Sequence, residues 1–155
     1  MRSMTAKLVI GMALTAIGIF GADIRIGTWK YNVAKSKTTS TNPIKSQTDV
    51  REATPDGGMK VTRTGELKDG TAFNCTFTYY VDGKAGTATG CPFDVITVKR
   101  IDAYTTTFEV KKTGGKFHVT GRTVISKDGK TSTQTSRGTD AEGKTVVATV
   151  VADKQ

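Results

Sequence analysis

One histidine, one tryptophan, two cysteines and three prolines are all that 155 residues contain of these types. With only His118, and with no Cys-x-x-Cys, the chain lacks the ligand sets from which metal centres are built. No Gly-x-Ser-x-Gly turn, phosphate loop or dinucleotide fingerprint occurs, because the glycines sit at turn positions instead. The acids Asp94, Asp102 and Glu109 are scattered and form no obvious pair. Catalysis would have to rest on His118, which stands between Phe117 and Val119 with the parity of an outward face. The sequence therefore names no catalytic residue, no metal ligand and no cofactor.

Apolar residues are also scarce, at 36%, with 7% aromatic. Such a chain has a thin, extended core, which favours strands over helices. A membrane helix needs about 20 apolar residues, and the longest apolar run, Leu8 to Phe20, is shorter. That run follows Arg2 and Lys7 and precedes Gly21 and Ala22, the layout of a secretory signal peptide over residues 1–22, with cleavage after residue 18 or 22 left open. The remainder, 23–155, has the size of one domain. The expectation is an exported protein, periplasmic or secreted, that does not span the membrane.

Basic residues are plentiful: 23 Lys+Arg against 14 Asp+Glu give +9, and loss of Arg2 and Lys7 would leave about +7. The lysines are spread through turns (Lys68, Lys84, Lys116, Lys127) without interleaved aromatics, so a solvated surface is expected and not a nucleic-acid interface.

From Ile44 onward turn signals recur: Pro55-Asp56-Gly57-Gly58, Lys68-Asp69-Gly70, Asp82-Gly83, Gly114-Gly115, Asp128-Gly129 and Glu142-Gly143. Asp-Gly between Thr/Val/Phe/Tyr-rich runs is a strong hairpin signal. About ten strands are expected, near 25–33, 44–54, 59–67, 71–81, 84–91, 93–101, 104–112, 116–126, 130–138 and 145–152. Ala34 to Asn42 reads as a polar loop. A meander of that length leaves two edges unless it closes, so the fold expected is all-β, an antiparallel up-and-down barrel of 8–10 strands. A two-sheet sandwich would need long crossing connections that are absent past residue 44.

Alternation is clearest in β-like Phe73, Cys75, Phe77, Tyr79 and Val81, which fall on one face. Cys75 and Cys91 lie eight residues either side of Gly83. A hairpin turning around Asp82 to Lys84 sets them opposite one another, and in an exported protein they are expected to be oxidised. Thr131 to Arg137 has almost no apolar face, as a strand would if both faces were wet or if one lined a polar cavity.

The stretch Gly27-Thr28-Trp29-Lys30, followed by the meander, resembles the Gly-x-Trp opening of the calycins, that is, the lipocalins and fatty-acid-binding proteins. Tyr80-Val81-Asp82-Gly83-Lys84 and Ser126-Lys127-Asp128-Gly129-Lys130-Thr131 are similar to segments of small exported bacterial proteins described as lipocalin-like. The resemblance implies that Trp29 plugs the closed end beneath a late-strand arginine, with Arg137 the candidate and Arg122 the alternative. Two features depart from fatty-acid-binding proteins: no helix-turn-helix lid follows the first strand, and no Arg-x-Tyr closes the chain. The function expected is a monomeric barrel binding a small hydrophobic or amphipathic ligand against Phe73, Phe77 and Tyr79. The alternative is a structural or interaction barrel of the cell envelope with a packed interior.

Overall fold

The Asp-Gly signals become hairpins through one repeated device. In the turns at Thr54–Gly57, Leu67–Gly70, Ser126–Gly129 and Asp140–Gly143 the glycine N–H donates to the carbonyl three residues back. Each of these glycines has positive φ, between 71° and 88°, a region closed to most side chains. Three of the turns also carry an aspartate whose carboxylate accepts from a following backbone N–H: Asp69 from Thr71, Asp128 from Lys130 and Asp140 from Lys144.

A computed structural model describes residues 22–155, and the signal-peptide reading of the preceding segment lies outside the described residues. Eleven strands follow in order: β1 (Gly27–Tyr31), β2 (Lys37–Thr38), β3 (Ile44–Ala53), β4 (Met59–Leu67), β5 (Ala72–Tyr79), β6 (Asp82–Thr89), β7 (Val95–Arg100), β8 (Thr105–Lys111), β9 (His118–Ile125), β10 (Thr131–Thr139) and β11 (Thr145–Lys154). From β3 to β11 every strand pairs antiparallel with the next, and β1 lies between β3 and β11, so ten strands close on themselves. The all-β antiparallel barrel is therefore the observed fold. Closure leaves no sheet edge around the β1 end.

Two local expectations need correction. The stretch read as a polar loop contains a 3-10 turn at Val33–Lys35, capped by Asn32, and then β2, which pairs with β11 alone. It runs along the edge of β11 that β1 pairs further on, and there the Ser36 hydroxyl donates to the Asn32 carbonyl and accepts from the Val151 N–H. The hairpin between β5 and β6 is also one residue out of the expected register: Thr76 faces Thr89 and Thr78 faces Thr87. Cys91 thus lies just past β6, beyond Gly90, and still meets Cys75 in a disulfide with Cα atoms 5.0 Å apart.

The interior is unevenly filled. One cluster joins Val61, Cys75, Phe77, Phe93, Ile96, Val98, Val110 and Val119. Phe93, just after the disulfide, packs edge-on to Phe77 at 5.6 Å and stacks on Phe117 at 6.2 Å. A smaller cluster at the β1 end joins Trp29, Ile125 and Ala152, with Ile24 against it. Glycines inside strands let the walls approach closely. A Cβ on Gly65 would lie 2.2 Å from the Ser46 carbonyl and 2.5 Å from the Phe73 ring.

Candidate functional site

Three inward positions of β3 are polar: Gln47, Asp49 and Arg51. Pairing aligns Asp49 with Arg63 and Arg51 with Val61 of β4, and both Gln47 and Asp49 are buried. Val50, on the opposite face, is 38% exposed, so β3 turns its polar residues in and an apolar one out. The usual alternation is inverted here because the barrel interior holds a charged network.

Its centre is Asp49. Arg63 grips the carboxylate with two hydrogen bonds of 2.8 Å, from Nε to Oδ1 and from Nη2 to Oδ2, and Gln47 donates to Oδ1 at 3.2 Å. Burial raises the carboxyl's pKa, yet the charge and hydrogen bonds of Arg63, with Arg51 and Gln47 adding to them, bring it below the usual value. Arg63 responds in the opposite sense: burial opposes its charge, and Asp49 outweighs that and raises it. Its guanidinium also lies 5.2 Å from the Phe77 ring centroid.

Arg51 joins this pair only as a longer ion pair. Its Nη2 is 3.7 Å from Asp49 Oδ2, beyond hydrogen-bond distance. The guanidinium carbon instead lies 4.8 Å from the Trp29 ring centroid. Trp29 is only 1% exposed, and its indole N–H donates to the Arg25 carbonyl at 2.9 Å. Arg25 is paired separately, with Asp23 at 3.1 Å.

These groups border a cavity of about 110 Å³. Its lining combines the charged Arg25, Asp49, Arg51 and Arg63 with apolar side chains that include Phe77, Ile96 and Val98, and with the polar Tyr79 and Gln134. Gln134 belongs to the strand without an apolar face, and its inward side lines this cavity. A second pocket of about 290 Å³ lies beside β1, β3 and β4, bordered by Lys30, Tyr31, Lys45, Gln47 and Gly65.

Of the residues expected to meet a ligand, Phe77 and Tyr79 line the cavity, whereas Phe73 does not, because its ring lies across Gly65. The expected pairing of Trp29 with Arg137 is corrected. Inward positions of β10 are even-numbered, as buried Ser132 and cavity-lining Gln134 show, so Arg137 is exposed on the outer face. Arg122 is exposed likewise. The cations on Trp29 are Arg51 and Lys154, the latter with Nζ 5.4 Å from the ring centroid and donating to the Ile24 carbonyl at 3.2 Å. Strand parity could have revealed this network. With Met59 and Val61 assigned inward, Arg63 must follow, and the β3–β4 turn then carries Asp49 and Arg51 inward too. His118 lies on the outside, its Nε2 2.7 Å from Glu109 Oε1. Among the described residues, no group of three or more His, Cys, Asp or Glu could hold a metal, and no helix is long and apolar enough to cross a membrane.

Fold and cavity together define a calycin-like antiparallel barrel with a partly charged interior cavity. No family model matches the chain, and no curated protein matches it in sequence. Solved structures share the fold. The S-type phycobiliprotein lyase CPES from Guillardia theta aligns with TM-score 0.54 and 9% identity over 85% of this chain and 88% of its own. The wild-type fluorescent protein UnaG aligns with TM-score 0.53 and 13% identity, over 84% and 97%. The barrel mFAP2b bound to DFHBI aligns with TM-score 0.51 and 10% identity, over 86% and 96%. At these identities the likeness is one of fold.

Proposed function

We propose that this protein is an exported, monomeric barrel that holds one small ligand in its interior, against Phe77 and Tyr79. The observation that carries the reading is the cavity itself, which sits inside the barrel and combines an apolar wall with convergent polar groups, the usual make-up of a ligand site. The DFHBI-bound barrel of the same fold adds support. The disulfide suits an oxidising compartment, which accords with export. The cavity volume favours a ligand far smaller than a long acyl chain.

Arg51 lines the cavity and lies over the Trp29 ring, so Trp29 fluorescence is expected to report occupancy. The test is a titration of the purified protein with a library of small apolar and amphipathic compounds, together with gentle native mass spectrometry. Saturable change in Trp29 emission, or a co-purifying mass, is expected. Absence of both, across the library, defeats the reading.

A further inference from the structure

Charge is unevenly spread over the outside of the barrel. On β3 and β4 outward acids and bases face one another: Glu52 is aligned with Lys60, and Lys45 donates to Glu66 at 2.6 Å. The wall from β7 round to β2 differs. Strand register carries one outward row from Lys99 of β7 through Thr107, Arg122, Thr135 and Thr149 to Lys37 of β2. Arg137 stands on the neighbouring row, aligned with Thr120 and diagonal to Arg122. All four cations are exposed, and none forms an ion pair with a carboxylate of the described residues. The carboxylates nearby are already engaged: Glu109 by His118 at 2.7 Å, Asp153 by Asn32 at 2.7 Å, and Asp102 by the backbone N–H groups of Tyr104 and Thr105.

We propose that this wall is a binding track for a linear acidic polysaccharide, whose carboxylates meet Lys99, Arg122, Arg137 and Lys37 while the threonine hydroxyls between them bond to its own hydroxyls. The track lies outside the barrel and does not depend on what the interior cavity holds. Three features select this partner. Strands about 4.8 Å apart put Lys99 and Arg122, two strands from each other, about 10 Å apart. Diagonal neighbours such as Arg122 and Arg137 lie about 7–8 Å apart, and Lys37 is a further two strands beyond Arg137. These intervals are at least twice the roughly 3.4 Å per charge along one strand of a DNA duplex, so they match a chain charged at wider intervals. Bases would also have nothing to stack on: Phe108, the one Phe, Tyr or Trp within β7 to β10, lines the cavity. Closure, finally, makes the wall convex. A polymer can follow that curve, whereas a flat anionic bilayer would reach only a row or two. Arginine forks suit carboxylate oxygens, and the excess of 23 basic over 14 acidic residues adds attraction at a distance.

The test titrates the protein with hyaluronan, which carries a carboxylate on every second sugar, and with neutral dextran, at low and at physiological salt. Hyaluronan is expected to bind saturably, more weakly as salt rises, and dextran is expected not to bind. The double variant Arg122→Gln/Arg137→Gln should weaken hyaluronan binding about fivefold or more, the scale of two exposed ion pairs. Lys60→Gln/Lys68→Gln makes the same change in net charge at exposed positions off this wall and should weaken binding less than about twofold. In the wild type alone, the backbone N–H resonances of Thr107, Thr120 and Thr135 should shift on adding hyaluronan while those of Thr62 and Thr76 stay in place, a readout independent of how the variants fold. Absence of saturable hyaluronan binding at low salt, equal binding of dextran, or equal losses in the two double variants overturns the track. Tighter binding of single-stranded DNA, or of phosphatidylglycerol vesicles, with the same dependence on Arg122 and Arg137 overturns the polysaccharide in favour of a nucleic acid or a membrane surface.

Discussion

The Arg51 guanidinium lies 4.8 Å from the centroid of the Trp29 ring, and the Lys154 ammonium lies 5.4 Å from the same ring. The single tryptophan is thus the place where β1, β3 and β11, the strands that close the barrel, are tied together by cations on an aromatic face. Trp29→Ala is expected to lower stability by about 3–5 kcal/mol, as for other buried large-to-small changes. Trp29→Phe, which keeps a ring, should cost clearly less. Urea unfolding followed by far-UV circular dichroism measures both, and near-equal losses would contradict the cation–ring account.

The two halves of the Asp49–Arg63 pair are not equivalent. Asp49→Asn leaves Arg51 and Arg63 buried without a carboxylate and is expected to cost about 3–5 kcal/mol. Arg63→Met leaves Asp49 with Arg51 only 3.7 Å away, close enough to take over with a small side-chain shift, so it should cost less. Equal destabilisation of the two variants in the same unfolding experiment would sink this ranking.

Acid should unfold the protein through its aspartates. Hydrogen bonds from Thr54 and Tyr80 pull the exposed Asp56 carboxyl to about 2, and backbone N–H groups lower Asp69, Asp94 and Asp102. The Ser126 hydroxyl does the same for Asp128. Since these folded-state values lie below the ordinary 3.8, the stability they contribute is complete above that value and is lost as pH falls through the folded ones. Thermal midpoints should be level down to roughly pH 5 and then decline toward pH 2. A main transition centred near neutrality would contradict this.

Reduction of Cys75–Cys91 reopens a span of 16 residues and is expected to cost about 3 kcal/mol on the chain-entropy account. Because Phe93 lies two residues after Cys91 and packs on Phe77, the segment from Gly90 to Asp94 should become the first site of proteolysis. Cleavage elsewhere, with this segment still protected after reduction, would show that the Phe93 packing does not need the bridge.

Strand glycines should tolerate alanine less well than turn-tip glycines do on steric grounds alone. A Cβ at Gly121 would lie 2.3 Å from the Thr135 carbonyl and 2.5 Å from the Phe108 ring, so Gly121→Ala is expected to cost at least about 1–3 kcal/mol through overpacking. Gly65→Ala should behave alike. Thermal midpoints matching wild type for both would refute the close-approach reading.

Local chemistry was enough to read most of the wall from the sequence. Asp-Gly turns and two-residue alternation are properties of neighbouring residues, and they place the hairpins, the inward face of Cys75 and Phe77, and the bridge to Cys91. What needed the tertiary structure was whatever depends on strands meeting across the barrel. Arg137 and Arg51 look alike in sequence, and only strand parity combined with closure puts one in solvent and the other on Trp29. Gln47, Asp49 and Arg51 carry no local signal of burial, and it is the alignment of Arg63 with Asp49 across β4 that lets them be buried. The sequence by itself determined that the chain is a hairpin meander stapled by one disulfide, because those features are encoded within a few residues of each other. Only the closed fold decided that two arginines share one buried aspartate in its interior, because charge pairing is a property of side chains brought together from different strands.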